Sequence, residues 1–151
     1  MNKKQLISIG AVISILLLLE ASALTWTGYN NVEFLDVTGD FEREIILECT
    51  HGAGTGLPLH SIRIFKDSGS QLDLIWECNT LEGNFQPIME SYYETIREVE
   101  FAEPDSESGV RDIVVKSKTT HYKDLEGTVD RVEILPTEVY QWDDKSYVIK
   151  E

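Results

Sequence analysis

Val32-Glu33-Phe34-Leu35-Asp36, continued by Val37-Thr38-Gly39-Asp40-Phe41-Glu42 and Arg43-Glu44-Ile45-Ile46-Leu47, returns later in the chain. The second occurrence reads Val99-Glu100-Phe101-Ala102-Glu103, an acidic loop, and Arg111-Asp112-Ile113-Val114-Val115. The opening blocks lie 67 residues apart and the closing blocks 68, so the copies differ by one insertion inside the loop. Each copy reads as a strand, a tight loop rich in oxygen-bearing side chains, and a second apolar strand. The repeat predicts an all-β fold, mainly antiparallel.

Working outward, Ile45, Leu47 and Cys49 alternate with Glu44, Ile46 and Glu48, the pattern of a half-buried strand. The connection His51 to Leu59 holds three glycines and a proline and excludes regular structure. Ser61 to Lys66 and Gln71 to Cys78 form a hairpin across Asp67-Ser68-Gly69-Ser70, with Leu72, Leu74, Trp76 and Cys78 expected on one face. Ile88, Tyr92 and Ile96 recur at four-residue spacing behind Pro87. That spacing allows a short helix near 87–97, in competition with a strand leading into Val99. After the second copy, Thr119 to Pro136 reads as an inserted segment in which Val132 and Ile134 supply an extra strand. Val139 to Ile149 then matches the earlier hairpin. The chain is two meander units, about 32–79 and 99–151. A closed propeller takes about four blades or more, so two units make either a small sandwich or blade-like sheets that self-association completes.

The N-terminus stands apart from this plan. Lys3 and Lys4 precede an uncharged, apolar run from Leu6 to Leu19, and Ala21-Ser22-Ala23 offers a signal-peptidase site. A membrane span needs about 20 apolar residues, and Glu20 interrupts this one. A signal helix within residues 1–23, followed by a single β domain from 24 to 151, is the expectation. The protein is then exported, periplasmic or secreted, with no membrane contact once the signal is cut. Cleavage would remove Lys3, Lys4 and Glu20, leaving 11 basic and 26 acidic side chains and a net charge of −15. Binding to nucleic acid or an anionic membrane needs lysine and arginine to neutralise phosphates, so this balance argues against both. It favours neutral, cationic or metal partners.

The repeated loops carry the clearest chemistry. Asp36, Thr38 and Asp40, with Glu44 beyond, and Glu103, Asp105 and Glu107, with Asp112 beyond, set oxygens at alternate positions. Calcium takes about six to eight oxygen ligands, and such a loop can wrap them round one ion. The run Asp36 to Ile45 resembles the loop-strand motif of FG-GAP and VCBS type repeats, here in two degenerate units. The resemblance implies calcium ligands at the first, third, fifth and ninth loop positions, which are Asp36, Thr38, Asp40 and Glu44 in the first copy. In the second copy Glu103, Asp105 and Glu107 match, and Asp112 closes the motif. Phe41 stands where the motif has glycine, and Gly109 arrives one residue late. Structural calcium that stiffens a turn is what the resemblance implies.

Cys49 and Cys78 are the only cysteines, and an oxidising compartment invites a disulfide between them. In a simple meander their strands lie two spacings apart, so the bond requires the chain to bend. Tyr140 and Trp142 share a strand face and offer either a stacking platform for sugar or part of a core cluster. No G-x-S-x-G elbow or zinc-type histidine spacing occurs in the chain. The expected function is a non-enzymatic β-repeat domain that binds a protein or glycan in the cell envelope or beyond it. Two alternatives stand beside it: a small secreted hydrolase, or hydrolase accessory domain, using loop carboxylates, and a lectin-like carbohydrate-binding module.

Overall fold

The computed structural model describes residues 26–52, 59–85 and 92–150. The expected signal segment 1–23 lies outside them, as do residues 87–91 of the candidate helix. Nine strands follow one another: β1 (Trp26–Leu35), β2 (Glu44–Gly52), β3 (Leu59–Asp67), β4 (Leu72–Asn84), β5 (Tyr92–Phe101), β6 (Ile113–Tyr122), β7 (Val129–Ile134), β8 (Glu138–Trp142) and β9 (Tyr147–Ile149). They make one antiparallel sheet in the order β1-β2-β3-β4-β5-β6-β8-β9, with β7 paired to the other end of β6. The all-β expectation holds, and the described residues contain no helix.

Tyr92 to Arg97 opens β5 and is not helical. Its four-residue spacing loses to a stronger two-residue one. Tyr93, Thr95, Arg97 and Val99 sit opposite His121, Thr119, Ser117 and Val115, and β-branched and aromatic residues suit a pleated surface. β7 and β8 act as one strand along β6, interrupted at Leu135-Pro136-Thr137, where Leu135 N still donates to Ser117 O at 3.0 Å. Proline has no N–H to give, which fits the break.

The two units share their pairing in detail. Phe34 faces Ile45 and Val32 faces Leu47; likewise Phe101 faces Ile113 and Val99 faces Val115. In the hairpins, Phe65 lies between Ile45 and Leu74, and Tyr140 between Ile113 and Ile149. Both hairpin turns close alike, by Ser68 N to Gln71 O and Asp143 N to Ser146 O, each 3.1 Å. Gly69 (φ 85°) and Asp144 (φ 73°) take the left-handed position in each turn.

The equivalent side chains nevertheless enter different clusters. The main core holds Ile46, Ile64, Ile75 and Trp76 of the first unit together with Ile113, Val115 and Tyr147 of the second. Ile45 and Leu47, the counterparts of Ile113 and Val115, are buried with Cys49 on the opposite face of β2, against Tyr29, Phe65 and Leu72. The sheet therefore folds over so that the front of one unit packs on the back of the other. Burying each of these aliphatic side chains contributes about 1.5–3 kcal/mol.

A bulge corrects the expected β4 face. Ile64 pairs with Trp76 but Phe65 with Leu74, leaving Ile75 as the extra residue. One inserted residue reverses the alternation. Trp76 and Cys78 therefore join the main core, while Leu72 packs with Phe65 on the other face. The same geometry separates the two cysteines. Cys49 and Cys78 are both free, one in each cluster, on opposite faces of the sheet.

Candidate functional site

The loops after β1 and β5 dock on each other at one end of the sheet. Arg111 N donates to Val37 O at 3.0 Å, and the Tyr147 hydroxyl reaches Val37 O at 2.6 Å and Arg111 O at 2.9 Å. Burial raises the Tyr147 pKa, and the nearby carboxylates of Glu44, Asp112 and Asp36 raise it further, so the hydroxyl stays a donor. Gly39 (φ 77°) lies so close to the second loop that a β-carbon there would collide with the Ser108 carbonyl oxygen and sit 2.8 Å from Val110 N. Only glycine fits that approach.

In the first loop, three of the four predicted ligands do gather round one cation, and the cation belongs to the chain. Lys66 Nζ donates to Thr38 Oγ1 at 2.7 Å, Asp40 Oδ2 at 2.5 Å and Glu44 Oε1 at 3.2 Å. Glu44 is 1% exposed and also accepts from Val37 N at 2.8 Å, Thr38 N at 3.4 Å and Thr38 Oγ1 at 3.0 Å. Asp36, the fourth, is turned onto the backbone and accepts from Gly39 N and Phe41 N. Burial opposes ionisation of Asp40, but the Lys66 ammonium and the Glu42 amide outweigh it and its pKa is lowered. Lys66 shows the reverse balance: burial lowers its pKa, and Asp40 and Glu44 bring it to a net rise. Phe41 occupies the motif's glycine position with φ 66° and is 96% exposed. A phenylalanine thus carries the left-handed backbone that glycine adopts most readily.

The second loop is arranged otherwise. Asp105 accepts from Glu107 N, Ser108 N and Ser108 Oγ at 2.9–3.0 Å, bonds that hold its pKa down. Asp112 accepts from Gln141 Nε2 at 3.1 and 3.4 Å. Glu103, Asp105 and Asp112 border a cleft of about 550 Å³ with Ala102, Ser108, Val110, Gln141, Trp142 and Asp144. Four carboxylates and one indole line it, and no basic side chain does. Glu107 is exposed outside that lining. Among the described residues no group of three or more His, Cys, Asp or Glu side chains is placed to hold a metal ion.

Tyr140 and Trp142 are half-buried and lie at the margin of the main core, without forming an open platform. Tyr140 packs edge-on to Trp76 at 5.6 Å, and Trp142 lies against Tyr147 at 5.5 Å with Lys66 Nζ 5.5 Å from its ring centre. Burial and the hydrogen bond to Glu138 push the Tyr140 pKa up to about 12. Only Trp142 of the pair borders the acidic cleft.

Three participants escaped the loop motif: Lys66, Gln141 and Asp144. Strand pairing in the folded chain relates two of them. Phe65 and Tyr140 are equivalent by pairing, so the next residues, Lys66 and Gln141, are equivalent too, and each reaches the acid that opens its own unit's inner strand, Glu44 or Asp112. Comparison with models of protein families, with curated proteins and with solved structures finds no match to this chain.

Proposed function

We propose that this chain is an exported, non-enzymatic β-repeat domain that binds a cationic partner segment through the cleft beside loop 102–112. The kinship with FG-GAP and VCBS type repeats belongs to the same proposal. One observation carries it: Glu103, Asp105, Asp112 and Asp144 line a single cleft with Trp142, while the equivalent loop of the first unit has its charge met by Lys66. Carboxylates attract a lysine or arginine side chain through charge-assisted hydrogen bonds, which are stronger than neutral ones. Asp105 is held ionised, the state in which a carboxylate also serves calcium, so structural calcium in the acidic loops is a second arm of the proposal. The hydrolase alternative is weakened because a general acid needs a raised carboxyl pKa, whereas Asp40 and Asp105 are shifted down. A lectin-like role is weakened by the ring contacts already made by Tyr140 and Trp142.

The test is calorimetric titration with a lysine- and arginine-rich peptide, a neutral peptide of equal length, and calcium chloride alone. The basic peptide should bind, weaken with salt, and lose about tenfold in affinity on Asp112→Asn together with Asp144→Asn. Equal binding of both peptides, or indifference to the double variant, would sink the cleft assignment.

A further inference from the structure

The two units differ most at their last strands. β4 covers β3 along Leu72–Leu81, but β9 reaches only Tyr140, Gln141 and Trp142 of β8. Among the described residues, the outward edge of β7 pairs with nothing. That edge is apolar for an exposed strand: Val129 is 50% exposed, Val132 48%, Ile134 74% and Leu135 41%. An open edge of this kind is a template for another strand.

We propose that a second copy of this chain fills it, by antiparallel pairing of β7 with the partner's β7 about a two-fold axis at Val132. The residue order selects this register. With Val132 facing its own counterpart, Arg131 faces Glu133 of the other copy, and the arrangement occurs twice. Within one copy these charges are poorly satisfied: Arg131 Nε lies 3.8 Å from Glu133 Oε1, and Arg131 Nη1 lies 3.9 Å from Asp130 Oδ2. Glu133 Oε2 bonds His121 Nε2 at 3.0 Å, which leaves its Oε1 for a guanidinium from the partner. Arg131 and Glu133 face the side of the sheet that carries His121 and Thr119, and Val132 and Ile134 the side that carries Thr120 and Lys118. On that second side each Val132 lies diagonal to the partner's Ile134, within reach of contact. Shifting the register by two residues sets Arg131 against Arg131 or Glu133 against Glu133. Pro136 ends the ladder where a longer pairing would begin, so the contact is short and the dimer weak, in the class of small transient interfaces.

Sedimentation equilibrium of the full chain from micromolar to millimolar concentration tests this. A monomer–dimer equilibrium is expected. Arg131→Glu and Glu133→Arg should each weaken it by about tenfold, because each reversal sets two like-charged pairs against one another. The double variant R131E/E133R should restore it. Val132→Cys should give a disulfide-linked dimer on mild oxidation, since directly opposed residues lie within disulfide reach, and the parent chain should not. All three sites are exposed, and circular dichroism checks that the variants fold. A monomer at millimolar concentration, a dimer indifferent to both single reversals, or a failure of the double variant to recover would overturn the proposal.

Discussion

Loop 36–43 and loop 102–112 share one sequence pattern and end in opposite electrostatic states. In the first, an ammonium from β3 sits among Thr38, Asp40 and Glu44. In the second, the equivalent position on β8 is Gln141, whose amide satisfies Asp112 and carries no charge. The difference shows that an acidic loop is not a site by composition. What decides is the residue on the neighbouring strand that faces it. A lysine there closes the loop into the fold, and a glutamine leaves its charge to the solvent or to a partner.

The sharpest way to break this comparison is to delete the buried acid of each loop. Glu44→Ala removes four hydrogen-bond partners and strands Lys66, and should cost about 3 kcal/mol in urea denaturation. Asp112→Ala, half-exposed with one partner, should cost about 1 kcal/mol or less. Equal losses would mean that the loops are not differently used. Next, Lys66→Gln gives the first loop the second loop's residue and should cost about 2 kcal/mol. In that variant calcium at millimolar concentration should raise the Tm more than in the parent, because the ion no longer competes with an ammonium. A Tm indifferent to calcium in both proteins would remove calcium from the first loop. The reciprocal change, Gln141→Lys, should weaken binding of the basic peptide by about tenfold while moving stability by under about 1 kcal/mol.

Smaller effects sharpen the contrast. Phe41→Gly relieves a left-handed β-branchless but bulky residue that is 96% exposed, and should stabilise by about 1 kcal/mol in the same urea assay. The pH dependence follows from the clamp. Asp40 has a lowered pKa in the fold, so its contribution is present above the ordinary aspartate value of 3.8 and is lost as pH falls through the lower folded value. Lys66 has a raised pKa, so its contribution is present below 10.5 and lost as pH rises through the folded value. Tyr140 adds to the alkaline loss between its ordinary value of 10.0 and about 12. Thermal melts of the parent and of Lys66→Gln across both limits should converge at the extremes. Parallel curves would deny the clamp a role in stability.

Much of this was legible beforehand. Matched apolar residues at fixed offsets point to like strand pairing, as the structure has it at Phe34–Ile45 and Phe101–Ile113. The positive φ at Phe41 could be foreseen from the motif's glycine. Three things could not. Lys66 lies 28 residues from Thr38 in sequence, and no local pattern says which strand end it will meet. The extra residue at Ile75 reverses a face without any glycine or proline to mark it. Tyr92 to Arg97 satisfies helical and strand periods at once, and pairing with β6 decides between them. The acidic cleft was half visible: Glu103, Asp105, Asp112 and Trp142 were each singled out, and only the folded chain brings them to one place.

Front-to-back packing gives the molecule a direction. The two faces of β2 answer to different partners: Ile46 meets the second unit in the main core, while Ile45 and Leu47 are covered by Tyr29, Phe65 and Leu72 from the first half of the chain. A charge placed at Ile46 should therefore part the two units, whereas one placed at Ile45 should disturb the first unit alone.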